Sequence, residues 1–382
     1  MTFQPLVELR LVSIPSASIT VLLFAAPLLY AYLSWKPTKS VETSRAPTPT
    51  KVLSLPSFDA SNIRVSKLLV HPIKSCRGTS VQQANYTPQG IENDRKWCII
   101  KAETHFVLTA RACSKMVLIH PEIVEDSSSP DCGFLKVSFP EDSESESFSV
   151  PLKPSEETLQ SWKTVSNVEL WGRNDIDGYI CESLSGRSPS DILSAYVGYP
   201  VLLVMKGPRP RLCAPTLRYP KLGAPTAYQD GFPLLVVSEE SIMALQTRVR
   251  DMVGVQGVDE KWSQEKIDVE RFRPNIVLKG AGIPFAEDSI AEFTIDSHRE
   301  VTDSTAPIIR LVCKCTRCLL PNVDIRTGLR DKAVPYKVLM KFRKGLDPAQ
   351  ASKACMGCNG APSGSGTVKV GDWIHVHSRD DV

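Results

Sequence analysis

The sequence predicts a β-rich α+β protein carried behind one N-terminal transmembrane helix, and three observations predict it. From Leu11 to Trp35 there is no charged residue, and Ile19 to Leu33 is nearly all apolar; a spanning helix needs roughly 20 such residues. Beyond residue 60, short β-branched runs recur between turn residues, the rhythm of a barrel or sandwich rather than of alternating βα units. Two later segments, after Ser238 and after Val334, carry helix signals.

The first 36 residues are read as the anchor. Pro27 is tolerated inside a spanning helix, and Tyr30, Tyr32 and Trp35 collect at its end as interfacial aromatics do. Lys36, Lys39, Arg45 and Lys51 follow the span, whereas Glu8-Leu9-Arg10 ahead of it carries no net positive charge. That asymmetry argues against a cleaved signal peptide and places the bulk of the chain in the cytosol. A short anchor followed by basic residues suits the mitochondrial outer membrane, with the endoplasmic reticulum as the alternative. Residues 37–60 are rich in Pro, Ser and Thr and read as a flexible linker.

The folded part is expected to divide into 61–200 and 201–382. Ile63 to Val70 is a β-branched strand ending in His71-Pro-Ile-Lys-Ser-Cys-Arg-Gly78, a turn whose Lys74 and Ser75 offer an anion charge and hydrogen-bond donors. Cys98-Ile-Ile100, Leu108-Thr-Ala-Arg111, Met116-Val-Leu-Ile119, Val168-Glu-Leu-Trp171 and Val201 to Met205 continue the short-strand rhythm. Glu141 to Ser147 contains only Glu, Asp and Ser and reads as an exposed hairpin loop. Phe232 to Val237 is a strand running into a helix, with Ser238 as N-cap and Glu239 and Glu240 in the first turn. Val253 to Asp268 reads as a polar surface insertion. Arg273 stands at the start of another strand, biased to extended backbone by Pro274. Val334 to Lys344 is helical, with Pro335 in its first turn. Thr367 to Val370 and Trp373 to Val376 form a final strand pair around Gly371-Asp372.

Composition narrows the function. At 382 residues the chain can bury a sizeable core in two or three domains. A net charge of +3, with no dense Lys/Arg block, gives no footprint for nucleic acid. The eleven cysteines cluster in a way that suits metal or redox work in a reducing compartment.

The densest chemistry lies between Arg310 and Asp331, where Cys313, Cys315 and Cys318 sit among basic residues that favour the thiolate. Two readings compete. With Cys355-x-x-Cys358 the spacing is that of a structural zinc site, which would make the protein a non-catalytic, zinc-stabilised module. Alternatively one thiolate binds a redox metal, while Lys74, Ser75, Arg95 and Arg273 grip a phosphorylated cofactor. No ferredoxin-like cysteine pattern or dinucleotide fingerprint is evident, so electrons would come from partner proteins.

His71-Pro-Ile-Lys-Ser-Cys-Arg-Gly78, Asp94-Arg-Lys-Trp97, Leu108-Thr-Ala-Arg111, Asp230-Gly-Phe-Pro233, Arg271-Phe-Arg-Pro-Asn275 and Thr316-Arg-Cys-Leu319 follow one another in order. That series resembles the MOSC family (molybdenum cofactor sulfurase C-terminal domain) with its N-terminal β-barrel domain, and within it the mitochondrial amidoxime-reducing branch. The resemblance covers roughly residues 61 to 378 and implies a MOSC N-terminal β-barrel over 61–200 and a MOSC β-barrel over 201–382. It implies a molybdenum cofactor (a Mo-molybdopterin) with Cys318 as the protein's metal ligand and catalytic centre. Lys74, Ser75, Arg95, Arg273, Asn275, Thr316 and Arg317 match cofactor-binding positions. The implied activity is reduction of small N-hydroxylated compounds such as amidoximes and hydroxylamines, with electrons from cytochrome b5 and cytochrome b5 reductase. Sulfur transfer through a Cys318 persulfide is the alternative within the same family. Cys313 and Cys315 receive no role, and Cys355 with Cys358 lies beyond the shared motifs.

Overall fold

The computed structural model describes residues 58–300 and 305–380. The expected anchor, and the linker as far as residue 57, lie outside the described residues. Among the described residues no helix is long and apolar enough to cross a membrane.

The centre of the fold is a closed ring of seven strands. In spatial order these are Arg64–Val70, Ile276–Lys279, Leu234–Ser238, Cys355–Pro362, Ile309–Thr316, Ile290–Asp296 and Trp373–Arg379, the last returning to Arg64–Val70 through Arg64 and Trp373. Thr79–Val81 adds an eighth strand beside the first. Closure removes exposed sheet edges. Leu234 and Val236, Ile276 and Leu278, Phe293 and Ile295, and Ile309 and Leu311 alternate along their strands and fill one buried cluster, the period of two that puts every second side chain on the same face.

Leu234–Ser238 is buried along its whole length because both faces are covered. Its opposite face, Leu235 and Val237, packs on Leu245 and Val249 of helix Glu239–Asp251, and on Phe272, Val338 and Leu339. That helix starts as expected, with Ser238 Oγ accepting from Ser241 N–H, and it links two parallel strands. Tyr336–Phe342 is the second expected helix. The 253–268 segment is not the exposed insertion its polarity suggests: Val258, Trp262 and Ile267 are buried against the same cluster, and Trp262 Nε1 donates to Asp331 Oδ2 at 2.8 Å.

A second group of strands precedes and flanks the ring. Trp97–Lys101, Val201–Lys206, Arg173–Ile180 and Thr164–Leu170 form one sheet in that order. His120–Glu125, Gly133–Ser138 and Phe148–Pro151 form another, with 141–147 as the connection of its second hairpin. Their shared core includes Trp97, Ile99, Leu135, Val137 and Leu203. The β-rich class holds, and the sheets are sewn together near the site: Lys74 N–H donates to Trp97 O at 2.8 Å and Tyr228 N–H to Arg95 O at 3.0 Å.

Two expected strands take other forms, and one expected strand pair is split. Met116–Ile119 lies largely in a 3-10 helix, Ser114–Leu118, since a short apolar run has no period that tells helix from strand. Leu108 to Arg111 is a turn in which Ala112 and Cys113 N–H both donate to Thr109 O. The two terminal strands do not pair with each other: Gly366–Lys369 pairs with Gln83–Thr87, and Trp373–Arg379 with Ile290–Asp296.

Candidate functional site

Lys74, Ser75, Arg95, Arg273, Asn275, Arg317 and Cys318, drawn from four separate stretches of sequence, line one cavity. Thr316 is the last residue of its strand, opposite Cys355, and does not line it.

Backbone conformation concentrates strain here. Ser75 (φ 68°), Arg95 (φ 49°) and Arg273 (φ 58°) all adopt the left-handed region, which is uncommon for non-glycine residues and persists only where surroundings impose it. Arg95 N–H donates to His71 O at 2.8 Å, and Arg273 N–H to Glu270 O at 3.0 Å. The extended backbone expected of Arg273 ahead of Pro274 is therefore overturned: Arg273 ends a 3-10 turn, Val269–Phe272, and the turn's closing hydrogen bond prevails over the proline bias.

The cavity is rich in cationic donors. Arg95 Nη1 donates to both oxygens of Asp94, at 2.8 and 2.6 Å, and Nη2 to Arg273 O at 2.8 Å. Burial would raise the Asp94 carboxyl, but Arg95 and the His71 contact bring it down to about 2. Arg273 Nη1 donates to Cys76 O, while its Nη2 is buried without a partner. Burial, then the charge of Arg95, pushes the Arg273 guanidinium down to about 9, the mark of a cation with too little countercharge. Arg317 Nη1 donates to Cys315 Sγ at 3.0 Å and Nη2 to Phe272 O at 2.9 Å, leaving a buried, unpartnered Nε. Unpartnered buried donors are costly, and an anion such as a phosphate would satisfy them. The donor set fits a phosphorylated cofactor.

Lys74 Nζ donates to Tyr228 O at 2.8 Å and to Asp230 Oδ1 at 2.5 Å. Burial lowers the lysine, an effect Asp230 opposes. Asp230 lines the cavity with its side chain largely open to solvent, and its carboxyl is held well below the usual carboxylate range: the neighbouring walls act to raise it, and Lys74, then Arg95 and Arg111, outweigh them. The loop carrying Asp230 is shaped by buried Arg211, whose Nη1 donates to Ala227 O and Gln229 O, each at 2.9 Å. Asn275 lines the cavity, but its amide is engaged in the barrel wall: Oδ1 accepts from Leu235 N–H at 3.1 Å and Nδ2 donates to Leu69 O at 3.4 Å.

The cysteines separate. Cys318 follows strand Ile309–Thr316 on a loop, half-buried, and Cys315 faces the same cavity. Cys313 lies elsewhere, accepting from Asn359 Nδ2 at 3.3 Å. Its basic neighbours in sequence do not favour its thiolate, because burial prevails and pushes the thiol up to about 12. Cys355 and Cys358 lie along strand Cys355–Pro362 rather than at a metal-binding knuckle, and burial raises both, Cys355 to about 11. Cys358 Sγ donates to Glu287 O at 3.3 Å. Among the described residues no three His, Cys, Asp or Glu side chains converge as a metal site, so the zinc arrangement suggested by spacing is not built there. A metal at Cys318 would need its remaining ligands from a cofactor.

Asp230, Arg111, Trp171 and Cys315 also line the cavity and were not singled out as site residues from sequence. Asp230 and Arg111 stand inside the ordered motifs; Trp171 carries no sequence signal, because a hairpin brings it in.

Known protein domains match both parts of the described chain. Residues 62–186 match the MOSC N-terminal beta barrel domain and residues 224–375 the MOSC domain. The chain is 28% identical over 323 residues to mitochondrial amidoxime-reducing component 1 of Mus musculus, covering 82% of each. It is 29% identical over 322 residues to mitochondrial amidoxime reducing component 2 of Homo sapiens, covering 81% of this chain and 82% of that protein. The molybdenum cofactor sulfurase of Danio rerio is 27% identical over 293 residues, 75% of this chain but 31% of that protein. A closed β-barrel, a cationic cavity faced by Cys315 and Cys318, and these two matched domains together place the chain in the MOSC family.

Proposed function

We propose that this protein is a molybdenum-cofactor-dependent reductase of N-hydroxylated compounds, amidoximes and hydroxylamines among them. The observation that carries the reading is the convergence of Lys74, Ser75, Arg95, Arg273, Arg317 and Cys318 on one cavity that keeps buried guanidinium donors unpartnered. The names of the relatives supply the substrate class. When bound, the cofactor supplies two-electron oxygen-atom chemistry. The chain's own residues do the rest. Arg95, Arg273 and Lys74 would hold the anionic part of the cofactor, Arg317, bonded to Cys315 and Phe272, would orient the loop carrying Cys318, and Cys318 would offer the protein's thiolate to the metal. The net reaction consumes two electrons and two protons and releases the substrate oxygen as water.

Electrons are proposed to come from cytochrome b5 and cytochrome b5 reductase. The N-terminal segment is proposed to anchor the protein in a membrane, the mitochondrial outer membrane, with the catalytic part in the cytosol.

Molybdenum and oxidised-pterin content of the purified full chain tests the reading. Molybdenum stoichiometric with the chain and lost in Cys318→Ser is the expected result, together with benzamidoxime reduction in a reconstituted cytochrome b5 system. Zinc without pterin fluorescence would overturn it, and reductase activity unchanged in Cys318→Ala would overturn the ligand assignment.

A further inference from the structure

The hairpin between strands Thr164–Leu170 and Arg173–Ile180 turns through Trp171 (φ 55°) and Gly172 (φ 81°). Two consecutive positive φ values define a tight turn whose favoured sequence is Asn-Gly or Asp-Gly. A tryptophan in the first position is an outlier, since bulky side chains rarely enter the left-handed region. Such departures from local preference collect at functional sites. Core packing does not explain the residue, because Trp171 is 49% exposed.

The ring lines the candidate cofactor cavity instead. Its Nε1 donates to Asp230 Oδ1 at 3.2 Å, and the Arg111 guanidinium lies over it, 4.1 Å from the ring centroid. Lys74 Nζ, 5.7 Å from the same centroid, donates to Tyr228 O and Asp230 Oδ1. Asp230 receives both hydrogen bonds on Oδ1; its Oδ2 accepts none among the described residues, and the side chain is 72% exposed. An anchored aromatic surface and an uncommitted carboxylate oxygen are thus presented together at the cavity.

We propose that Trp171 is a specificity-determining residue which, with Asp230, selects flat substrates bearing N–H donors over saturated hydroxylamines. The inference rests on the reductase reading of this cavity. Amidoximes, N-hydroxyguanidines and N-hydroxylated bases share a planar, delocalised carbon–nitrogen system. That plane stacks on an indole, and its N–H groups donate to Asp230 Oδ2. A saturated hydroxylamine is pyramidal at nitrogen, and when fully substituted there it offers neither a flat face nor an N–H.

Trp171→Asn removes the ring and gives the turn its favoured Asn-Gly pair, so the hairpin keeps its fold; Trp171→Tyr retains an aromatic face. With the molybdenum-loaded full chain, the ratio of kcat/KM for benzamidoxime to that for N-hydroxypiperidine should fall about tenfold in Trp171→Asn and stay within about twofold in Trp171→Tyr. Benzamidine, the flat reduced product, is titrated calorimetrically against the same preparations and should weaken by the same factor of about ten in Trp171→Asn alone. An unchanged ratio, an equal loss for both substrates, or an unchanged benzamidine affinity overturns the proposal. A parent chain that holds no molybdenum and reduces neither substrate overturns the reductase reading instead, and the benzamidine titration still decides the role of Trp171.

Discussion

Arg273 shows how far a single residue can be read from sequence. Its charge, its neighbour Asn275 and its place in an ordered motif marked it as an anion-binding candidate. Its left-handed backbone follows from the 3-10 turn it closes, whereas its side chain reaches Cys76 O, almost 200 positions away, and keeps a buried, unpartnered Nη2, which no local pattern reveals. Arg273→Lys keeps a positive charge but loses the planar fork that reaches both Cys76 O and an anion. The expected result is a folded protein whose molybdenum and pterin content falls by about 10- to 100-fold, the worth of one charge-assisted hydrogen bond. Metal analysis beside a melting curve checks it; retained cofactor would remove Arg273 from the site. His71 is the second informative residue. Its ring is buried, with Nδ1 3.6 Å from Asp94, and burial, then Arg95 and Arg273, hold its ionisation well below the ordinary histidine value. A depressed histidine stays neutral in the folded state while the unfolded chain takes up a proton, so stability falls as pH drops below about 6.5. Asp94, lowered to about 2, adds a further loss of roughly 2 kcal/mol between about pH 4 and pH 2, because the unfolded carboxylate protonates first. Denaturant titrations at pH 7, 6 and 5 should show the first decline, and His71→Asn should flatten it.

Among the elements, the Glu239–Asp251 helix was fully legible because its start is written locally: a serine cap, two acids in the first turn, and a strand running in. What was not legible is that its cap also serves a buried acid. Ser238 Oγ donates to Glu287 Oε2 at 2.8 Å, and Ser241 Oγ to Glu287 Oε1 at 2.8 Å, while burial raises the Glu287 carboxyl and Asp288 adds to the effect. Ser238→Ala therefore removes a cap worth about 1 kcal/mol and leaves Glu287 short of a donor, a further cost of about 1–3 kcal/mol. A urea midpoint that drops with an unchanged slope is the expected outcome; a drop below about 0.5 kcal/mol would mean that water replaces the hydroxyl. The elements misread from sequence have a common physical cause. Met116–Ile119 and Leu108–Arg111 are segments too short to carry a period, and the 253–268 segment hides its buried residues, Val258, Trp262 and Ile267, among polar neighbours. Trp171 is the extreme case, since its position in the cavity follows from the hairpin that carries it and not from any property of its own sequence.

On the scale of the whole molecule, the barrel joins the two ends of the described chain. Arg64–Val70 pairs with Ile276–Lys279 on one side and meets Trp373–Arg379 on the other. Its Val65, Leu68 and Val70 fill the same core as Leu234, Ile309 and Ile374. The short-strand rhythm announced a barrel, but partners separated by more than 200 residues are set by tertiary pairing that alternation alone does not encode. The site inherits this arrangement: Lys74 and Ser75 hang from the end of the first strand, Arg273 and Asn275 precede its neighbour, and Cys318 follows a strand on the far side of the ring. A fragment of residues 201–382 keeps the Cys318 loop yet lacks the strand that closes the ring and the partner sheet of Val201–Lys206. It should expose two unpaired edges and fail to show a cooperative melting transition, whereas residues 58–382 should unfold in one. Adding residues 58–200 as a separate chain should restore both the transition and cofactor retention if the barrel is what assembles the site. Cooperative unfolding of 201–382 alone would show instead that the ring tolerates an open side and that the first strand serves only to deliver Lys74 and Ser75.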